Sequence, residues 1–272
     1  MSIAVAARVS SYRVVFDGQS LNSYGSPNHY PAKLMSGRGI PWIDVAIAGY
    51  AWLQLKTMLD NRVTPHLVRG SITILIGVGG TTDYALNQTG QNVYDSEVTW
   101  ATNARAAGAD YIIQTTTTPS TSFGANTTVA SGSNGVNTNT FAGSGTLNVA
   151  STTDAPSSGT IIVATGGTPA TITYTGTTST TFTGCNTTSG GGVMSTNGTV
   201  RNIIYSRFYD GNALVMADAS AAFDYKVDLA GDSRLADPTN TTYYIDGTHP
   251  TNAGRQVMAD LVAPALNAIL AL

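Results

Sequence analysis

Cysteine is all but missing from this chain, Cys185 being the only one. A lone thiol excludes an intrachain disulfide and the usual cysteine-ligated zinc sites, and it leaves the redox compartment open. Charge is scarce too. Asp, Glu, Lys and Arg make up 11% of the 272 residues, about half of the ~25% found in ordinary globular domains. The net charge is -3 and Lys and Arg form no cluster, so the electrostatic footprint of a nucleic-acid or anionic-membrane partner is missing and neither is expected. No apolar run reaches the ~18 residues of a membrane span. Residues 1–11 hold Arg8 and a short Ala/Val run without the apolar core of a secretory leader, so export by the usual route is not expected. Gly77-Val78-Gly79-Gly80 is glycine-rich, but no Lys follows it as a phosphate loop requires. No cofactor and no metal are expected.

What the chain does have is apolar residues, 42% of the total, enough for a sizeable core. The charge deficit falls in one block: between Pro119 and Gly198 the only charged side chain is Asp154. Thr, Ser, Gly and Asn dominate there, and short alternations such as 160–164 and 170–174 are separated by turn residues, the pattern of a small all-β module. The stretch 120–145 is poorer in apolar residues and reads as a connector. The flanking parts differ. Short apolar runs at 12–16, 43–47, 71–76, 111–115 and 214–217 read as strands buried on both faces. Helical spacings lie between them at 51–59, 93–107 and 200–209, and at 252–270, where Thr251 is the expected N-cap and Pro264 the expected kink or interruption. Strands alternating with helices predict a parallel, doubly wound α/β domain of residues 1–118 and 199–272, interrupted by a β module at 119–198.

Two segments carry chemistry. Asp246-Gly247-Thr248-His249-Pro250 sets an Asp and a His three residues apart before a helix, and Asp17-Gly18-Gln19-Ser20-Leu21-Asn22 sets a Ser on a glycine-containing turn after an apolar strand. A serine hydroxyl becomes nucleophilic when an imidazole takes its proton, and a carboxylate fixes that imidazole's tautomer. Of three histidines, His29 and His66 lack a carboxylate at comparable spacing. Ser20, His249 and Asp246 are therefore the candidate nucleophile, base and orienting acid. Ligands bind outside the carboxyl ends of the strands in such a sheet, which gathers Ser20, Gly49 and the turn 79–83 on one edge. Tyr50 and Tyr84, each close to one of these turns, are candidate substrate-lining residues.

These motifs, in this order, resemble the SGNH hydrolases, the GDSL-type esterases. Gly18-Gln19-Ser20-Leu21 resembles the family's first block, Gly49 its second, Gly80-Thr81-Thr82-Asp83 its third and Asp246-Gly247-Thr248-His249-Pro250 its fifth. The resemblance implies a flavodoxin-like three-layer sandwich and ester hydrolysis, often deacetylation of carbohydrates. It implies that backbone N–H groups of Ser20 and Gly49 form part of an oxyanion hole. Two positions depart from the pattern. Gln19 replaces the usual Asp, as in some carbohydrate acetylesterases. Thr82 stands where the family has an Asn that completes the oxyanion hole, with Asn22 and Asn87 as substitute donors; losing one such donor costs ~10²–10³ in rate.

Two readings stay open: an esterase acting on an ester-bearing glycan, and a catalytically weak or inactive scaffold that binds rather than cleaves. The Gly/Thr-rich module resembles small β modules of phage tail and other virion proteins, which makes a virion location, acting without a signal peptide, an expectation beside a cytoplasmic one. Homo-oligomer or virion assembly partners belong to the same expectation.

Overall fold

The computed structural model describes residues 12–23, 29–67, 70–124, 126–153 and 155–271; the segment read above for a leader, 1–11, and Asp154 lie outside them. The chain divides into two compact units, Met1–Ser120 with Phe208–Leu272, and Thr121–Arg207. In chain order the elements are β1 (Tyr12–Gly18), α1 (Ser20–Ser23), α2 (Tyr30–Met35), β2 (Trp42–Asp44), α3 (Trp52–Leu55), α4 (Leu59–Arg62), β3 (Ile72–Val78), α5 (Thr81–Ala85), α6 (Gly90–Ala107) and β4 (Tyr111–Thr115). Then come β5 (Asn126–Thr128), β6 (Ala142–Asn148), β7 (Gly159–Val163), β8 (Thr168–Tyr174), β9 (Gly176–Thr177), β10 (Thr181–Gly191) and β11 (Thr199–Asn202). The chain ends with α7 (Ile203–Ala217), β12 (Tyr225–Val227) and α8 (Asn252–Ala271).

In the first unit five parallel strands lie in the order β2-β1-β3-β4-β12, the flavodoxin-like 2-1-3-4-5 winding, whose direction reverses between β1 and β3. Side chains alternate across the sheet. Val14, Phe16, Ile74, Ile76 and Ile113 pack with Leu34 and Met35 of α2 and with Val257, Met258, Val262 and Leu266 of α8. The intervening Val15, Leu75 and Ile112 are equally buried on the opposite face. There Asp17 and Gly77 sit in register, and a Cβ at Gly77 would come within 2.9 Å of the Trp100 ring of α6. Each fully buried aliphatic side chain stabilises by about 1.5–3 kcal/mol, which is why these runs have almost no polar positions.

The second unit is an antiparallel sheet in the order β5-β11-β7-β8-β10-β6, with β9 on β10. One face of the alternation, Ile161, Val163, Ile172, Phe182 and Val200, makes its core with Leu147 and Cys185. Burial pushes the Cys185 thiol up to about 11, so it serves as a small apolar side chain. Thr on the outer face supplies β-branching without charge. Gly184, at φ +63°, sits where the register of β10 against β6 shifts by a bulge. The stretch 120–145 read as a connector holds β5 and the start of β6, with Ser133 and Thr138 buried.

Four other expectations change. Residues 214–217, read as a strand, are the end of α7, which runs on through Gly211 and Asn212; their Ala, Leu and Met are good helix formers. The fifth strand is instead Tyr225–Val227, too short at an edge to show as an apolar run. The single helix read at 51–59 is two short ones, α3 and α4. Helix α8 continues through Pro264 without interruption.

A buried polar pair lies beneath the second face. Gln114 Nε2 donates to Glu97 Oε1 at 3.2 Å, while Glu97 Oε2 and Gln114 Oε1 are buried without a hydrogen-bond partner among the described residues. Burial, and then the charge of Asp83, push the Glu97 carboxyl well above its ordinary value. A proton on Oε2 turns one of two surplus acceptors into a donor. Because the folded-state pKa is raised, the folded chain binds more protons than the unfolded one, and stability falls as pH rises from about 4.5 toward the folded pKa. Glu97→Gln should remove that decline and raise the urea midpoint at pH 8 relative to wild type. A midpoint unchanged at every pH would show that Glu97 carries no proton in the fold.

Candidate active site

The site grows from the end of β1. Gly18 has φ +137°, and a Cβ there would lie 1.8 Å from the Val78 carbonyl oxygen, so only glycine lets the ends of β1 and β3 approach. Gln19 N–H donates to that carbonyl at 3.2 Å. The chain then turns into α1, and Asn22 Nδ2 donates back to Asp17 O at 2.9 Å. This turn presents Ser20. Its Oγ lies 2.9 Å from His249 Nε2, and His249 Nδ1 lies 2.8 Å from Asp246 Oδ2.

The acid and base share one local turn. Asp246 Oδ1 accepts the N–H groups of Thr248 and His249 at 3.0 and 2.8 Å, with Gly247 at φ +77° between them. Ile245 N–H donates to His249 O at 2.8 Å, and Gly254 N–H to Thr251 Oγ1 at 3.2 Å, which caps α8. Partial burial raises the Asp246 carboxyl, but the hydrogen bonds from His249 and Thr248 outweigh it and hold the group below its ordinary value. Asp246 is thus an anion that accepts Nδ1–H. Nε2 is left to accept the Ser20 hydroxyl proton.

The second and third turns lie close by in the fold. Ile47 N–H donates to Gly18 O at 3.0 Å, and Tyr50 N–H to Ile47 O at 3.3 Å, a turn that places Gly49 at φ +80°. Thr82 lies in α5, where its N–H donates to Gln19 Oε1 at 3.0 Å. Tyr50 is 36% exposed. Tyr84 departs from the sequence reading: it is 1% exposed and packs edge-on against Phe208. Asn22, offered by the sequence as a substitute oxyanion donor, is fully buried and donates one of its two amide N–H groups to Asp17 O. His29 does have a carboxylate neighbour, Asp44 at 3.6 Å, supplied by β2 and so invisible in local spacing. Burial, and then Arg255, lower the His29 pKa, while burial pushes Asp44 up to about 6.

Other polar residues of the site escaped the sequence reading. Ser120 Oγ lies 2.6 Å from Thr248 Oγ1 and ties the Asp246–His249 turn to the segment after β4. Asp17 pairs with Arg62 through both carboxylate oxygens and also accepts from Trp100 Nε1 at 2.9 Å and Gly18 N at 2.8 Å. Burial pushes the Asp17 carboxyl up, against the downward pull of these donors. Among the described residues no group of three or more His, Cys, Asp or Glu side chains is arranged to hold a metal ion.

By sequence, the chain matches no family model and no curated protein. Its backbone matches solved structures over nearly their whole length. A member of the lipolytic G-D-S-L family from Veillonella parvula aligns at 11% identity over 94% of this chain and 98% of that one, with a TM-score of 0.57. The chain has the fold of the GDSL-type hydrolases. A GDSL-like lipase from Bacteroides thetaiotaomicron aligns at 15% identity over 99% and 93% of the two chains (TM-score 0.52). A variant of an acetyl-xylooligosaccharide esterase from Geobacillus aligns at 12% over 97% and 95% (TM-score 0.53).

Proposed function

We propose that this chain is a serine esterase that removes an acyl group from a carbohydrate ester. The observation that carries this reading is the unbroken hydrogen-bond chain from Ser20 Oγ through both ring nitrogens of His249 to Asp246. In the reaction, Ser20 Oγ attacks the ester carbonyl as His249 Nε2 takes its proton, and Asp246 stabilises the imidazolium. The alcohol leaves with the proton from His249, and water activated by the same imidazole releases the acid. The backbone N–H groups of Ser20 and Gly49 and the Thr82 hydroxyl are the donors for the oxyanion. The carbohydrate part of the reading is supported by the fold shared with an acetyl-xylooligosaccharide esterase.

Treatment with a fluorophosphonate should add one adduct at Ser20, read by intact mass and peptide mapping, and the chain should hydrolyse a short-chain aryl acetate that Ser20→Ala leaves untouched. An adduct on another residue, or none on folded protein, would remove the esterase reading in favour of a binding scaffold.

Thr82 tests the oxyanion assignment. Its N–H is engaged by Gln19, which leaves the hydroxyl as the group it can offer. Thr82→Val should lower kcat by about 10²-fold, the usual cost of one oxyanion donor, whereas Thr82→Asn should preserve or raise it. Unchanged kcat in Thr82→Val would make Thr82 a residue of the turn alone.

A further inference from the structure

We propose that Gln19 and Asp83 are a matched pair of positioning residues that hold the turns after β1, β2 and β3 in one arrangement around Ser20, an inference that rests on the esterase reading above. Gln19 is 1% exposed, and both ends of its amide are used. Nε2 donates to Asp83 Oδ2 at 2.8 Å, and Oε1 accepts the Thr82 N–H at 3.0 Å. Asp83, also 1% exposed, accepts the Trp52 N–H on Oδ2 at 2.9 Å and the Leu53 N–H on Oδ1 at 3.4 Å. Those two residues open α3, directly after the Gly49 turn. Two side chains thus join the three segments from which the oxyanion donors come.

The chemistry of position 19 is narrow. A carboxylate there accepts from Thr82 but cannot donate to Asp83, and an ammonium donates to Asp83 but cannot accept from Thr82. An amide does both. Gln19 packs against Gly79, where a Cβ would lie 3.1 Å from Gln19 Cγ and Cδ, so position 79 has little room for a side chain beside this amide. Asp83 in turn is a buried carboxyl group that accepts from three N–H groups, and losing the Gln19 donor leaves Oδ2 one donor short where burial penalises an unpaired acceptor.

The test compares Gln19→Glu, Asp83→Asn and the double variant in steady-state hydrolysis of an aryl acetate and in urea unfolding. Gln19→Glu sets two carboxylates against each other and should lower kcat by roughly 10²-fold with little change in KM, the effect of a displacement of about 1 Å at the reacting centre. In the double variant amide and carboxylate exchange places: the carboxylate at position 19 keeps the Thr82 N–H and accepts from the new amide at position 83, while the Trp52 N–H, which shared Oδ2 with Gln19, loses that acceptor, so recovery is partial. Its kcat should exceed that of Gln19→Glu by at least about tenfold, the non-additivity expected of residues in contact. Wild-type kcat in Gln19→Glu, or a lowered urea midpoint with kcat unchanged, would overturn the positioning role. Additive midpoints across the cycle would overturn the pairing itself, whether or not the chain cleaves the ester. A folded wild type inert toward the ester and toward fluorophosphonate would instead refute the esterase reading on which the positioning role depends.

Discussion

His249→Ala should lower kcat on an aryl acetate by roughly 10⁴- to 10⁶-fold with KM little changed, and Ser20→Ala should fall to the same floor. The two losses are equal because neither group works alone: the hydroxyl without the imidazole keeps its proton, and the imidazole without the hydroxyl has no nucleophile to activate. The double variant should therefore be no worse than either single one. Asp246→Asn should cost less, because Ser20 and His249 keep their 2.9 Å contact and lose the anion that fixes the tautomer. Stopped and steady-state assays on the four proteins decide the matter. Full activity in His249→Ala would end the triad assignment, whatever the fate of the other variants.

Arg62→Met should destabilise the fold by about 3–5 kcal/mol, the cost of leaving a buried charge without its partner. Asp17 is wholly buried, and its other donors, Trp100 Nε1 and Gly18 N, are neutral. The loss should appear as a lower urea midpoint at constant slope. It should also depend on pH with a definite sign. Burial already holds the folded-state pKa of Asp17 above its unfolded value against the pull of Arg62; without the guanidinium it rises further, so the folded variant binds the proton over a wider pH range than wild type and gains more stability as pH falls. The deficit against wild type should then narrow on acidification. A midpoint equal to wild type at pH 7 would mean that Asp17 is already neutral in the native protein, with the Arg62 contact contributing nothing to stability.

The pair also marks the limit of what was legible in the sequence. Asp246 and His249 could be read because three residues separate them and the turn between them is local. Ser20 could be read because an apolar strand buried on both faces ends on Gly18. The pairings of Asp17 with Arg62 and of Gln19 with Asp83 span 45 and 64 residues, and no periodicity announces which buried amide meets which buried carboxylate. Tyr84 shows the reverse error. Its place one residue after Asp83 suggested a cleft, but in a short helix neighbouring residues point about 100° apart, and Tyr84 turns inward onto Phe208. At the level of the fold, runs rich in Val and Ile revealed four of the five parallel strands. The fifth, Tyr225–Val227, is formed by pairing with β4 rather than by its own composition, and the apolar run at 214–217 masked the true end of α7.

The spacing of Asp246, His249 and Ser20 along the chain has a consequence for how the proposed activity should appear in time. The Asp246–His249 turn closes on its own backbone within three residues, whereas the contact of His249 with Ser20 closes a span of 229. During refolding the acid–base couple can form as soon as the C-terminal segment exists, but the nucleophile joins it only when α8 has docked on the face of the sheet that carries Val14 and Phe16. Reactivity of Ser20 is therefore a clock for that docking. In a stopped-flow experiment, the return of fluorophosphonate labelling should follow the burial of the α8 face.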